Sequence, residues 1–391
     1  MPKNVAHHFF IFLYNTPMEP TEIEMTPEQQ DVKYLQEQLE QTHYDLYRNV
    51  SEEIFADSLQ KATEVEPEYF KIALQESLAL IGDAHTYVPG IFNKQHPLLE
   101  SKEIEGKMYI IGTSQEQSFL IGQEIKEING YPVTEIISKI SRLSSKENRE
   151  ILLKDVSVFM TSPLALKYYG FSKGDVTEIT TNIGSTNIVE EKDAKIKIQN
   201  PLKWKTSELN NPTFLGNSDY RLRVIDNTLL FQYNSCTNRD RTKGELEDFK
   251  NKLLEIAKES DAIVIDLRQN SGGNTGIMAD LFTRLPEDKK IYVAMGRKTF
   301  SSAIHHLLYL KKNKGGILIG ENAGQRPNRF GDHKEIVLPN SKIRVSCSYK
   351  YFELLPGQDI DVIEPDINIP IKIEDYRNNT DPLNEWIKDN L

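Results

Sequence analysis

The chain has 391 residues, too many for one ordinary core of roughly 100 to 200 residues, so two or three units are expected. Its 47 Lys and Arg face 58 Asp and Glu, a net charge of -11, which argues against nucleic acid as a partner because a phosphate backbone is held by clustered basic side chains. Two cysteines, Cys236 and Cys347, stand far apart and in no metal-ligand spacing, so we expect neither a disulfide framework nor a metal site. The apolar run Phe9–Tyr14 is six residues long, short of the roughly 20 that span a bilayer and short for a signal peptide. The expectation is a soluble protein without a membrane span, cytoplasmic by default or else exported under a signal outside this sequence.

Residues 1–25 show no period. Thr26-Pro27-Glu28-Gln29 then offers an N-cap, a proline at the first helical position and a capping-box glutamine. Val32, Leu35, Leu39 and Leu46 keep one face of the following helix apolar, Ser51 caps a second helix, and Phe70, Leu74 and Leu78 mark a third that ends near Gly82. We read residues 26–95 as a helical domain that carries His85. Between 96 and 200 the texture changes to short β runs, Met108 to Ile111 and Gln123 to Ile128, with Asn129-Gly130 as a turn and two helical stretches after it. From 201 to 391 strands alternate with helices: Thr228 to Tyr233, a helix Gly244 to Lys258, Ala262 to Leu267, a helix after Gly273, Ile291 to Ala294, a helix from Ser301, and Gly316 to Ile319. Such alternation builds βαβ units, hence an α/β core with a largely parallel sheet.

Reactive groups in such sheets sit beyond the carboxyl ends of the strands. Two loops stand there, Gln269 to Asn274 and Lys298 to Ala303. Gly272-Gly273 is read as opening a helix, with backbone N–H groups unshielded by side chains and suited to a developing oxyanion, although a plain strand-to-helix turn has the same composition. His305 and His306 are neighbours in sequence and point apart on a helix, so they are expected to pack rather than chelate.

These loops resemble a known family. Asp266-Leu267-Arg268-Gln269-Asn270-Ser271-Gly272-Gly273 is similar to the D-L-R-x-N-x-G-G signature of the C-terminal processing (tail-specific) peptidases, and Thr299 to Ala303 to their nucleophile segment. Gly316 to Glu321 and Ile363-Glu364-Pro365-Asp366-Ile367 resemble the strand and the P-D element that follow in the same order. The resemblance implies a ClpP/crotonase-like α/β core and a serine nucleophile at Ser301, with Ser302 in reserve, and an oxyanion hole formed by the N–H of Ser302 and that of Gly272 or Gly273. One branch of the family activates its serine with a lysine after the nucleophile helix. Here that segment reads Ala323-Gly324-Gln325-Arg326, and a guanidinium stays protonated at any usable pH.

The other, tricorn-type, branch takes a histidine from a segment like Gly82-Asp83-Ala84-His85-Thr86. This implies His85 as the base, supported by an acidic residue before the P-D element, Asp359 or, in its place, Asp361. Peptide binding by strand addition is implied near Tyr233, Asn234 and Ser235. Ile121 to Val133 also resembles the strand, turn and helix of PDZ domains. The expectation is therefore a serine endopeptidase acting on peptide or protein substrates without metal or cofactor, able to form oligomers. The alternatives are a catalytically silent relative that binds peptides or apolar ligands, and a PDZ-type scaffold.

Overall fold

The computed structural model describes residues 25–91, 99–172, 174, 176–189, 215–216, 219–238 and 243–391. The segment 1–25, except Met25, lies outside the described residues, as does the expected boundary near 200.

Helix α1 (Pro27–Thr42) starts as its sequence dictates: the Thr26 hydroxyl accepts from the Gln29 N–H at 3.2 Å, and the Gln29 side chain accepts from the Thr26 N–H at 3.0 Å. Ser51 caps α2 (Glu52–Ala62), and α3 (Phe70–Ala79) is followed by Gly82 with φ of +73°. A Cβ at Gly82 would stand 2.7 Å from Asn49 Nδ2, whose amide donates to the Ile81 carbonyl.

The middle part opens with the hairpin β1 (Glu100–Ile104) and β2 (Lys107–Gly112). A second sheet holds β3 (Ile125–Ile128), β4 (Tyr131–Pro132), β5 (Val176–Thr181) and β6 (Gly184–Val189), in the order β4-β3-β5-β6, with α4 (Val133–Ile140), α5 (Arg149–Phe159) and α6 (Pro163–Tyr168) between β4 and β5. Asn129 and Gly130 both have positive φ, 53° and 76°, as a two-residue hairpin turn requires.

The last part is a seven-stranded sheet in the order β15-β12-β11-β10-β9-β8-β7. β7 (Leu215–Gly216) and β8 (Tyr220–Ile225) are antiparallel at one edge; β9 (Thr228–Tyr233), β10 (Ala262–Asp266), β11 (Lys290–Met295), β12 (Ile317–Gly320) and β15 (Ile367–Asn368) run parallel. The helices α7 (Lys243–Glu259), α8 (Gly276–Arg284) and α9 (Ser302–Lys314) join the parallel strands. Ile263 and Ile265 of β10 pack with Leu253, Leu281 and Leu307 on one face, while Ala262 and Val264 pack with Leu383 and Ile387 on the other. β10 is thus apolar throughout because both its faces are covered.

A long hairpin, β13 (Asn328–Val337) and β14 (Arg344–Glu353), was not evident in the sequence and lies outside this sheet. Its residues Ile336, Leu338, Val345 and Cys347 complete the core of the N-terminal helices, beside Leu35, Leu39, Phe55 and Leu78. Residues 26–95 therefore do not close a core by themselves. Each buried aliphatic side chain of the hairpin contributes about 1.5–3 kcal/mol to holding the two parts together. The remaining helices are α10 (Ile373–Asn378) and α11 (Pro382–Asn390). No helix among the described residues is long and apolar enough to cross a membrane, and both cysteines are buried and unpaired.

Candidate active site

Three segments meet at the carboxyl end of the sheet. After β11 the chain makes a tight loop: Thr299 Oγ1 donates to the Leu267 carbonyl at 2.9 Å and accepts from the Gly296 N–H at 3.0 Å, and the Phe300 N–H donates to the Asn270 carbonyl at 3.0 Å. Asn270 also donates to the Tyr233 carbonyl and accepts from the Gly272 N–H. The loop after β10 and the loop after β11 are thereby tied to each other through Asn270 and Thr299. Ser301 emerges with φ 55° and ψ -121° as the N-cap of α9, a conformation costly for a residue with a Cβ. It is held by the Gln325 Oε1, which accepts from its N–H at 2.8 Å, and by Arg329, which donates to its carbonyl at 2.8 Å. Such strained strand-to-helix turns project a side chain clear of its neighbours.

The second segment is 82–88. The Tyr87 N–H donates to the Ser346 carbonyl, the Ser346 N–H to the Tyr87 carbonyl, and Ser346 Oγ to the His85 carbonyl at 2.8 Å, so β14 fixes the segment beside the sheet. His85 and Ser301 are 216 residues apart, and Nε2 of the one lies 3.0 Å from Oγ of the other. The imidazole stacks on the Phe300 ring, centroids 4.6 Å apart, and is 7% exposed. Burial pushes its pKa down to about 4, against the pull of Asp83 and with the help of Arg329 and Lys154. At neutral pH the ring is uncharged.

Behind the imidazole stand two carboxyl groups. Asp83 accepts from the His85 N–H at 2.9 Å and from the Thr86 hydroxyl, and lies 3.3 Å from His43 Nε2. Burial alone would raise its pKa, but the His43 hydrogen bond, the His85 ring and Thr86 hold it below the usual carboxylate range. Glu147 accepts from the Ala84 N–H at 3.2 Å and from Gln325 Nε2 at 3.2 Å, and Gln325 Nε2 is also 3.4 Å from His85 Nδ1. Burial first, and then the charge of Asp83, pushes the Glu147 pKa up to about 7.

Several expectations need correction. Asp359 is not at the imidazole: its side chain is 95% exposed and pairs with Arg326 at 2.6 Å, and Asp361 faces the same arginine. Tyr233 is wholly buried, stacked on Phe231, and its strand lies between β8 and β10, so neither edge is free for strand addition there. The Asn234 N–H donates to the Asp219 carbonyl. Gly272-Gly273 does not open a helix; α8 begins at Gly276, and the Gly272 N–H is taken by Asn270. What the glycines do provide is close approach: a Cβ at Gly272 would lie 2.6 Å from the Ser301 Cβ, and one at Gly273, 2.5 Å from the Cys236 carbonyl oxygen. The Ser302 hydroxyl donates to the Gly273 carbonyl at 2.6 Å, and the N–H groups of Gly273 and Ser302 have no backbone acceptor among the described residues. His305 packs on Phe352 and His306 on Phe282.

Glu147, Gln325, Arg329 and His43 were not singled out in the sequence. Only Gln325 carried a local signal, standing in the segment where the family's lysine is expected. Among the described residues no group of three or more His, Cys, Asp or Glu is arranged to hold a metal ion. A cavity of about 320 Å³ is lined by Lys102, Lys154, Gln232, Arg297, Glu321 and Tyr376 among others; none of the residues of the Ser301–His85 cluster lines it. Lys154, one of its lining residues, has its Nζ 5.0 Å from the centre of the Phe300 ring.

With this geometry in hand, a comparison with solved structures superposes 93% of the chain on 97% of mature CPAF bound to lactacystin, at a TM-score of 0.66 and 12% identity. The chain has the CPAF fold. A further structure of mature CPAF gives a TM-score of 0.64 at 12% identity, again over 93% of this chain and 97% of that one. The photosystem II D1 C-terminal processing protease aligns over 90% of this chain and 96% of its own at a TM-score of 0.46 and 12% identity. No protein-family model matches the sequence, and no curated protein is similar to it in sequence.

Proposed function

We propose that the chain is a serine peptidase of the C-terminal processing, tricorn-type kind, cleaving peptide bonds through an acyl-enzyme. The observation that carries this reading is the 3.0 Å approach of His85 Nε2 to Ser301 Oγ, with the serine on a strained turn and the histidine buried and uncharged. A hydroxyl needs a positioned base to become a nucleophile at neutral pH. In the proposed reaction Nε2 of His85 takes the Ser301 proton as Oγ attacks the scissile carbonyl, and returns it to the leaving amine. Asp83, held below the usual carboxylate range, supplies negative charge near the ring as the imidazolium forms. The N–H groups of Gly273 and Ser302 are assigned to the oxyanion, the latter at the N-terminus of α9, whose dipole favours negative charge. The ClpP/crotonase-like kinship of the core and the PDZ-like character of the middle part belong to the same reading, supported by the parallel sheet and by the β3-turn-β4-α4 unit.

Labelling with a fluorophosphonate tests it. The wild type and Ser302→Ala should label, while Ser301→Ala should not and His85→Ala should be slowed at least about a thousandfold. Labelling that survives in Ser301→Ala would assign the chemistry to another residue, and a folded wild type that never labels would overturn the reading.

A further inference from the structure

The proposed reaction needs Nε2 of His85 bare, and therefore the ring proton on Nδ1. The surroundings of Nδ1 favour the opposite arrangement. The backbone N–H of Ser301 can only donate, so the atom of Gln325 that faces it at 2.8 Å must be the amide oxygen. The amide nitrogen then points at Glu147 Oε2, 3.2 Å away, and at His85 Nδ1, 3.4 Å away. Glu147 Oε2 already accepts from the Ala84 N–H and can accept from Gln325 as well. Turning the amide over would set an NH2 against the Ser301 N–H and an oxygen against a carboxylate oxygen. Two contacts outside the imidazole thus fix the amide, and the amide presents a donor to Nδ1.

We infer that Gln325 holds His85 in the free protein with its proton on Nε2, and that this amide must turn or withdraw before Ser301 can be deprotonated. The consequence for catalysis rests on the peptidase reading; the geometry does not. In the held form Nε2 donates to Ser301 Oγ, and the serine hydroxyl proton has no base. To become competent the ring gains a proton from water at Nδ1 and loses one to water from Nε2, with no net change. The Nδ1–H then needs an acceptor, which Gln325 provides once its oxygen faces the ring. Glu147 controls that turn, since as a neutral acid it can donate its O–H to the turned amide oxygen, whereas as a carboxylate it repels it. Gln325 is in this sense a positioning residue acting through His85.

Nitrogen-15 imidazole spectra of the full chain, with His85 assigned by loss of its signals in His85→Gln, read the tautomer directly. The wild type is expected to show Nε2 protonated, and a wild type with Nδ1 protonated would overturn the inference without any variant. Exchanging the two groups, Gln325→Glu with Glu147→Gln, keeps the net charge and places a carboxylate against both the Ser301 N–H and Nδ1. The exchange should move the proton to Nδ1 and speed fluorophosphonate labelling at least about tenfold, a carboxylate being the stronger partner for the ring N–H. The single variant Gln325→Glu serves if the exchange does not fold. An unchanged tautomer in the folded variant refutes the role of Gln325. A tautomer that switches while neither protein labels leaves Gln325 as assigned and refutes the peptidase reading instead.

Discussion

Glu147→Gln should stabilise the protein in alkaline solution and leave it nearly unchanged in mild acid. Burial and the neighbouring charge of Asp83 move the Glu147 pKa from an ordinary 4.5 to about 7. At about 1.4 kcal/mol for each tenfold change in proton affinity, that corresponds to about 3 kcal/mol. The folded pKa lies above the unfolded one, so the stability tied to the neutral acid is fully present below about pH 4.5 and is lost as the pH rises through 7. Glutamine is uncharged throughout, and its oxygen can still accept from Ala84 and Gln325. Urea unfolding followed by circular dichroism, at about pH 5 and about pH 8.5, should show the midpoints of the two proteins close together in acid and the variant ahead by up to about 3 kcal/mol in base, with equal slopes. A variant less stable than the wild type at both pH values would mean that the ionised carboxylate is a net stabiliser, and the reasoning from burial would fail.

Asp83→Asn acts with the opposite sign. Its folded pKa is depressed, so its contribution is present above the ordinary carboxylate value and is lost as pH falls through the lower folded one; the variant, which weakens the hydrogen bonds to a buried carboxylate, should lose about 1.5–3 kcal/mol near pH 7, with the deficit closing in strong acid. Asp359→Ala should change the labelling rate less than about twofold, because an exposed pair with Arg326 is worth little; a loss of labelling would restore it as a supporting group. Gly272→Ala should abolish labelling in a protein that still folds, since the added methyl meets the Ser301 Cβ at 2.6 Å; circular dichroism alongside the probe separates the two effects.

What could be read from the sequence was what is encoded locally. The capping box at Thr26, the turn at Asn129-Gly130 and the apolar strands of the sheet each depend on residues a few positions apart, and each formed where expected. Ser301 and His85 were legible because short motifs surround them. The groups behind His85 were not, because Glu147 sits at the end of an ordinary polar stretch before α5 and Gln325 in a loop, and only the packing of three distant segments gives either a role. Order in the chain points to Asp359 as the supporting acid, but order carries no information about which way a loop turns, and Asp359 turns out to Arg326 instead. The hairpin of β13 and β14 escaped notice because its outward residues Asp332 to Glu335 are exposed and charged and dilute the alternation of the inward ones.

That hairpin also sets when the site can exist. A ribosome releases the helices and the His85 segment that follows them long before Ser346, which lies 261 residues beyond His85 and braces its carbonyl. Until then the face of Leu35, Leu39 and Phe55 that the hairpin covers lacks its cover, and Ser301 faces no imidazole. The reactive pair therefore cannot assemble on a nascent chain until both Ser301 and the hairpin that braces His85 have been made.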